Sequence, residues 1–116
     1  MAQLELHGTV EATDLSADVV LVAAHGPIDS RMAGELRDVL LPLAGADGTR
    51  LLLDLADAHC LEDDILSVVG TAAHLMARRG ERMTIVTRSE YTRMLIVDCG
   101  LDELVDVVSS IGEIGD

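Results

Sequence analysis

Between Asp54 and Asp64 the chain concentrates groups that do chemistry: Asp54, Asp57, His59, Cys60, Glu62, Asp63 and Asp64. Such a set suggests three activities. Carboxylate oxygens bind hard divalent cations. An aspartate closing a strand can serve phosphoryl transfer. A thiol such as Cys60, with Cys99 further on, can exchange with a disulfide. The spacing weakens the first activity, because adjacent acids at a helix start fan apart instead of converging on one ion. A solvated acidic helix start is the preferred reading, with no metal and no cofactor.

The elements that must position these groups follow from periodicity. Leu51 to Leu55 is almost continuously apolar, as in a strand covered on both faces. From Asp63 or Asp64 to Arg79, helical spacing sets in, with Ile65, Leu66, Val68, Val69, Ala72, Leu75 and Met76 on the inner side and Gly80 as the stop. Upstream, Leu4, Leu6 and Val10 suggest a first strand, and Ala17 to Ala24 a stronger one that stops at the Gly26-Pro27 turn. Asp29 or Ser30 caps the next helix, whose buried stripe is Met32, Leu36, Val39, Leu40 and Leu43. Pro42 belongs at or near its end. Downstream come a strand at Met83 to Val86, a helix from about Ser89 to Asp98 closed by Gly100, and an edge strand at Leu104 to Val108. Ile111 to Asp116 is expected to be a frayed turn or short helix. Strands alternating with helices predict one α/β domain.

Composition narrows the function classes. At 116 residues the chain fits a single domain with a real core. That core must be aliphatic, since Tyr91 is the lone aromatic. Net charge is −13, from 21 acids against 8 bases, and every base is arginine. Such a surface disfavours direct binding to nucleic acid or anionic lipid. It favours solubility and steers towards basic protein surfaces. Without lysine there is no Schiff base and no Gly-Lys-Ser/Thr phosphate loop. A receiver-type phosphorylation site, which also uses a strand-end aspartate, would want a late lysine. No Ser/His/Asp arrangement is specific, so a binding module is preferred to an enzyme. No apolar run reaches the roughly 18 residues of a membrane span. Met1 to Glu5 opens no secretory signal, so the cytosol is the default location. Cys60 and Cys99 are expected to be two buried thiols.

Four segments in order resemble a STAS domain. They are the Gly26-Pro27-Ile28-Asp29 turn, the Leu53-Asp54-Leu55 strand end, Arg78-Arg79-Gly80, and Cys99-Gly100-Leu101-Asp102-Glu103-Leu104. The resemblance spans about Val19 to Val108. It implies one STAS-like domain over residues 1–116, with a mixed central β-sheet and helices packed against it. Within the family the chain is most similar to bacterial anti-sigma factor antagonists. Those are protein-binding modules that sequester an anti-sigma kinase and thereby free a sigma factor for transcription.

In that family an Asp-Ser-Ser-Gly segment opens the second helix, and its first serine accepts phosphate from the partner kinase, which ends binding. Here Glu62, Asp63, Asp64 and Ile65 stand at those positions, so the phosphoacceptor position holds an acid. Asp63 supplies a permanent anion, though with one charge where phosphoserine carries about −1.5 to −2. Acids in a first helical turn also oppose the positive end of the helix dipole. Ile65, in place of a glycine, either blocks close backbone approach or offers a new apolar contact. Ser30 reads as a cap and Ser67 as a helical residue among apolar neighbours, so neither restores a phosphorylation site.

The resemblance therefore implies a partner-binding surface of Asp29, Ser30, Glu62, Asp63, Asp64 and Ile65, facing an anti-sigma factor of the serine-kinase type. Three alternatives stay open: a STAS scaffold, an accessory subunit of a transport system, and an antagonist under redox control through Cys60 and Cys99. A homodimer stays open as well.

Overall fold

The computed structural model describes residues 9–27, 30–46, 48–59, 63–110 and 112. In chain order the elements are β1 (Thr9–Asp14), β2 (Val19–Pro27), α1 (Ser30–Ala44), β3 (Arg50–His59), α2 (Asp63–Ala77), β4 (Met83–Val86), α3 (Glu90–Asp98), a 3₁₀ turn (Leu101–Glu103) and β5 (Val105–Val108). The five strands form one sheet in the order β1-β2-β3-β4-β5. β1 runs antiparallel to β2, and every later pairing is parallel. The result is a single domain with a mixed sheet and three helices, each helix filling a crossover that parallel pairing requires.

Alternation along β3 builds the core. Leu51, Leu53 and Leu55 are at most 4% exposed and join Val22, Met83, Ile85 and Val105 beneath the helices. The opposite face is also covered, since Leu52 and Val86 are buried too. This is the two-sided burial expected of an apolar strand inside a parallel sheet. The helices contribute Met32, Leu36, Leu40 and Ala44 from α1, and Ile65, Val69, Ala72, Ala73 and Met76 from α2. Tyr91 stands outside this core, 62% exposed.

Some boundaries match the sequence expectation and others differ. Val10 lies in β1 as expected, whereas Leu4 and Leu6 lie outside the described residues, as does most of the tail from Ile111. β2 runs on past Ala24 and stops at Gly26-Pro27 as expected, with Gly26 still paired to Ala58 and Pro27 to His59. A register shift between Ala23 and His25, with Gly26 at φ 81°, lets the strand bend without leaving the ladder. β3 likewise continues past Asp54 to His59, so Asp54 does not close a strand. Pro42 lies in the last turn of α1, near its end as expected, where the N–H it lacks would have met the Asp38 carbonyl.

The helix ends are secured by specific bonds. After α2, the Gly80 N–H donates to the Ala77 carbonyl and the Glu81 N–H to that of Met76, with Gly80 at φ 76°. That double closure is a Schellman motif, which favours glycine at the left-handed position. Arg79 donates to the Ala44 carbonyl at the end of α1 and pairs with Glu81, tying two helix ends together. Ser89 caps α3 by accepting the Thr92 N–H at 3.1 Å. Arg82 donates to the Val105 and Glu103 carbonyls and to Asp106, holding β5 to the start of β4.

Leu53→Ala is expected to cost about 2–5 kcal/mol in denaturant unfolding, the range for deleting a buried leucine. A cost below about 0.5 kcal/mol, typical of surface positions, would contradict its central place.

Candidate protein-docking surface

β2 and β3 end side by side, and the chain leaves both ends to start a helix. Pro27 pairs with His59; α1 begins at Ser30 and α2 at Asp63. The starts of the two helices therefore leave the same edge of the sheet, the carboxyl edge of its parallel strands. In open α/β sheets this edge is where binding residues gather, because loops there are free to vary while the strands hold them. Of the residues singled out from sequence, Ser30 opens α1, and Asp63 and Asp64 form the first turn of α2, both exposed. Asp29, Glu62 and Cys60 lie outside the described residues.

Ile65 corrects the sequence expectation. Its side chain is 0% exposed and belongs to the core cluster, so it offers no apolar contact at the surface. With α2 starting at Asp63, successive residues turn by about 100°, and the third helical residue swings inward. Val69, Ala72, Ala73 and Met76 repeat that inward direction. The branched side chain anchors the helix start to the sheet. It does not reach the exposed side of α2.

The opposite side of α2 is a polar ridge. Asp63, Asp64, Ser67, Thr71 and His74 are exposed along it, and the Thr71 hydroxyl donates back to the Ser67 carbonyl at 3.0 Å. Ser67 is a helical residue between the apolar Leu66 and Val68, as expected, and its side chain is exposed. Sequence held the signal: polar residues recur at positions 63, 67, 71 and 74 through an otherwise apolar helix. A groove flanks the ridge on each side. Ala33, Arg37 and Leu41 of α1 face Asp64, Ser67 and Val68 across a space of about 310 Å³. On the other side, Asp63, Leu66, Gly70 and His74 face Cys99 and Leu101 across about 460 Å³.

Other chemistry considered from sequence fares differently. Among the described residues no three His, Cys, Asp or Glu side chains gather as metal ligands. Asp54 is half-buried and its Oδ1 accepts the Ala56 N–H at 2.9 Å, a local structural bond. The consecutive strand order with an antiparallel β1 differs from the 2-1-3-4-5 order of receiver-type sheets. Cys99 is an exposed free thiol whose Sγ donates to the Ile96 carbonyl, so the expectation of a buried thiol fails there. It follows the last turn of a short helix whose outer side faces solvent. No described helix is long and apolar enough to cross a membrane.

Residues 12–114 match the STAS domain, and the chain belongs to that family. The match extends beyond the segment whose motifs suggested it. Solved structures agree in fold. An anti-sigma factor antagonist from Mycobacterium paratuberculosis superposes with TM-score 0.78 at 21% identity, covering 91% of this chain and 89% of that one. The Bacillus cell fate determinant SpoIIAA in its phosphorylated form gives 0.74 at 10% identity, covering 91% and 96%. A putative anti-sigma factor antagonist from Thermotoga maritima gives 0.73 at 16% identity, covering 90% of each chain. No curated protein matches the sequence.

Ile65→Ala should lower unfolding stability by about 2–5 kcal/mol, as for other buried aliphatic truncations. Were Ile65 a surface contact instead, the change would stay within about 0.5 kcal/mol. Chemical denaturation of the two proteins separates these outcomes.

Proposed function

We propose that the chain is a protein-binding module of the anti-sigma factor antagonist type that works without a phosphoserine switch. The observation that carries this reading is the first turn of α2, where Asp63 and Asp64 are exposed on the sheet edge from which α1 also departs. The family resemblance puts the phosphoacceptor at Asp63. The docking surface is Asp29 and Ser30 from one segment, with Glu62, Asp63 and Asp64 from the other. Ile65 supports it from within. The partner is an anti-sigma factor of the serine-kinase type, whose sequestration would release a sigma factor in the bacterial cytoplasm.

The chemistry follows from charge. An aspartate at this position puts a permanent acidic group beside the positive end of the helix dipole. A kinase has no hydroxyl to modify there, so binding is set by partner concentration and not by a phosphorylation cycle. Asp63 mimics phosphoserine only in part, with less charge and fewer oxygens. Two states are compatible with it: constitutive binding, or a permanent weak-binding form. A second reading, redox control, draws support from Cys99, whose exposed thiol lines the groove that begins at Asp63.

Calorimetry of the wild type and Asp63→Ser against the anti-sigma kinases of its genome, under reducing conditions, tests the proposal. Tight binding by the wild type is the expected result and identifies a constitutive antagonist. Binding by the serine variant alone identifies a protein held off by its own carboxylate. Binding by neither removes the anti-sigma reading in favour of a scaffold or transport-system role. A redox switch requires that mild oxidant change both the free-thiol count and partner binding.

A further inference from the structure

Tyr91 is the one aromatic residue of the chain, yet it stands on α3 with 62% of its surface in water. The aliphatic core makes no use of it. Met94 and Val97 follow at intervals of three residues, 58% and 56% exposed. Three of the four large apolar side chains left exposed among the described residues therefore belong to one nine-residue helix. Tyrosine and methionine are both enriched where proteins meet. Apolar surface concentrated in this way marks an interaction site.

The inner side of α3 fixes what its outer side presents. Thr92 and Ile96, four residues apart, are buried, and Ser89 caps the helix by accepting the Thr92 N–H. At about 100° per residue, Met94 points directly away from that buried pair. Tyr91 and Val97 lie three residues to either side of Met94, an apolar diagonal about 9 Å long at 1.5 Å per residue. Glu90 and Asp98 lie four residues to either side, an acidic diagonal about 12 Å long. All five side chains are exposed, so the two diagonals cross at Met94 on one open face. No ion pair among the described residues neutralises Glu90 or Asp98. With the chain at −13, a cationic surface is steered towards this face and an acidic one is turned away.

We infer that the outer face of α3 docks a helix of another protein, apolar along one stripe and flanked there by arginine or lysine. The partner's apolar side chains, at i, i+3 or i+4 and i+7, pack around Met94 between Tyr91 and Val97. Their stripe spans about 10 Å, the reach of the apolar diagonal. Two cations about seven or eight residues apart meet Glu90 and Asp98. A second copy of this chain fits badly. Antiparallel pairing centred on Met94 sets Glu90 level with the second copy's Asp98, and parallel pairing sets each acid against itself. Anionic lipid is repelled by the same acids. The apolar diagonal supplies affinity, and the acids supply orientation and encounter rate. None of the five residues belongs to the docking surface at the starts of α1 and α2, so the inference does not rest on the anti-sigma reading.

The test uses the full chain and a fluorescent Leu/Lys peptide of about 14 residues, an amphipathic helix of about four turns. Two comparators are a scrambled peptide of the same composition and an amphipathic peptide with Glu for Lys. The amphipathic Leu/Lys peptide should bind at least about tenfold more tightly than either. Amide shifts on binding should cluster from Glu90 to Asp98. Tyr91→Ala combined with Met94→Ala should weaken binding about tenfold. Glu90→Gln combined with Asp98→Asn should weaken it several-fold. Glu11→Gln combined with Asp14→Asn, the same loss of charge at exposed positions of β1, should change it less than about twofold. All these positions are exposed, and unchanged unfolding midpoints check that the variants fold. Equal binding of the scrambled peptide, or an equal loss from the β1 pair, would show bare charge attraction and overturn the inference. So would shifts that avoid α3, or an apolar double variant that binds as well as the wild type. Self-association of the chain, or its uptake by phosphatidylcholine vesicles, would also overturn it if Tyr91→Ala with Met94→Ala abolished either one.

Discussion

Two-sided burial of β3 is the constraint on which the rest of the structure depends. A strand that keeps Leu51, Leu53 and Leu55 dry on one face and Leu52 on the other cannot be an edge. It needs parallel neighbours, and parallel neighbours need crossovers long enough to hold helices. α1 and α2 fill those crossovers and cover the leucines. Because the chain has almost no aromatic residues, this contact is made of branched aliphatic side chains and methionine, which fill space by interdigitation and not by broad flat rings.

The same constraint shapes the start of α2. Ile65 reaches the core from the third helical residue, so the first turn cannot shift or fray without opening a cavity under it. Asp63 and Asp64 then occupy an anchored turn whose free N–H groups favour negative charge. Acids and isoleucine are both compatible with a stable fold here: the acids suit the helix terminus, and the isoleucine suits the core. A site with a glycine and a hydroxyl there would trade this anchoring for backbone access and modifiability.

Charged and polar side chains hold the periphery where the aliphatic core does not reach. Arg79 joins the ends of α1 and α2, Arg82 holds β5 against β4, and Arg93 donates to the Ser109 hydroxyl beside α3. Guanidinium groups suit this work because one side chain can satisfy several carbonyls in a fixed plane. The arginines thereby turned to structural use leave the acids to dominate the surface around α2 and α3.

Much of this was legible in the chain. The apolar run at Leu51 to Leu55, the helical stripe from Ile65 to Met76, the stop at Gly80 and the helix beginning about Ser89 are local signals, fixed by periodicity and by backbone needs that act over a few residues. The α/β class and the acid at the α2 start follow from them. What sequence could not decide was direction and neighbourhood. Whether Ile65 faces solvent or core depends on where the helix begins and which sheet it meets, and a shift of one residue turns a side chain by 100°. How far β2 runs past Ala24 depends on the partner strand that pairs with it. Exposure of Cys99, Ser67 and Tyr91, and the groove between α2 and α3, arise only when distant segments pack. Local propensity sets the elements; burial, a property of the assembled layers, sets which side chains remain available to bind.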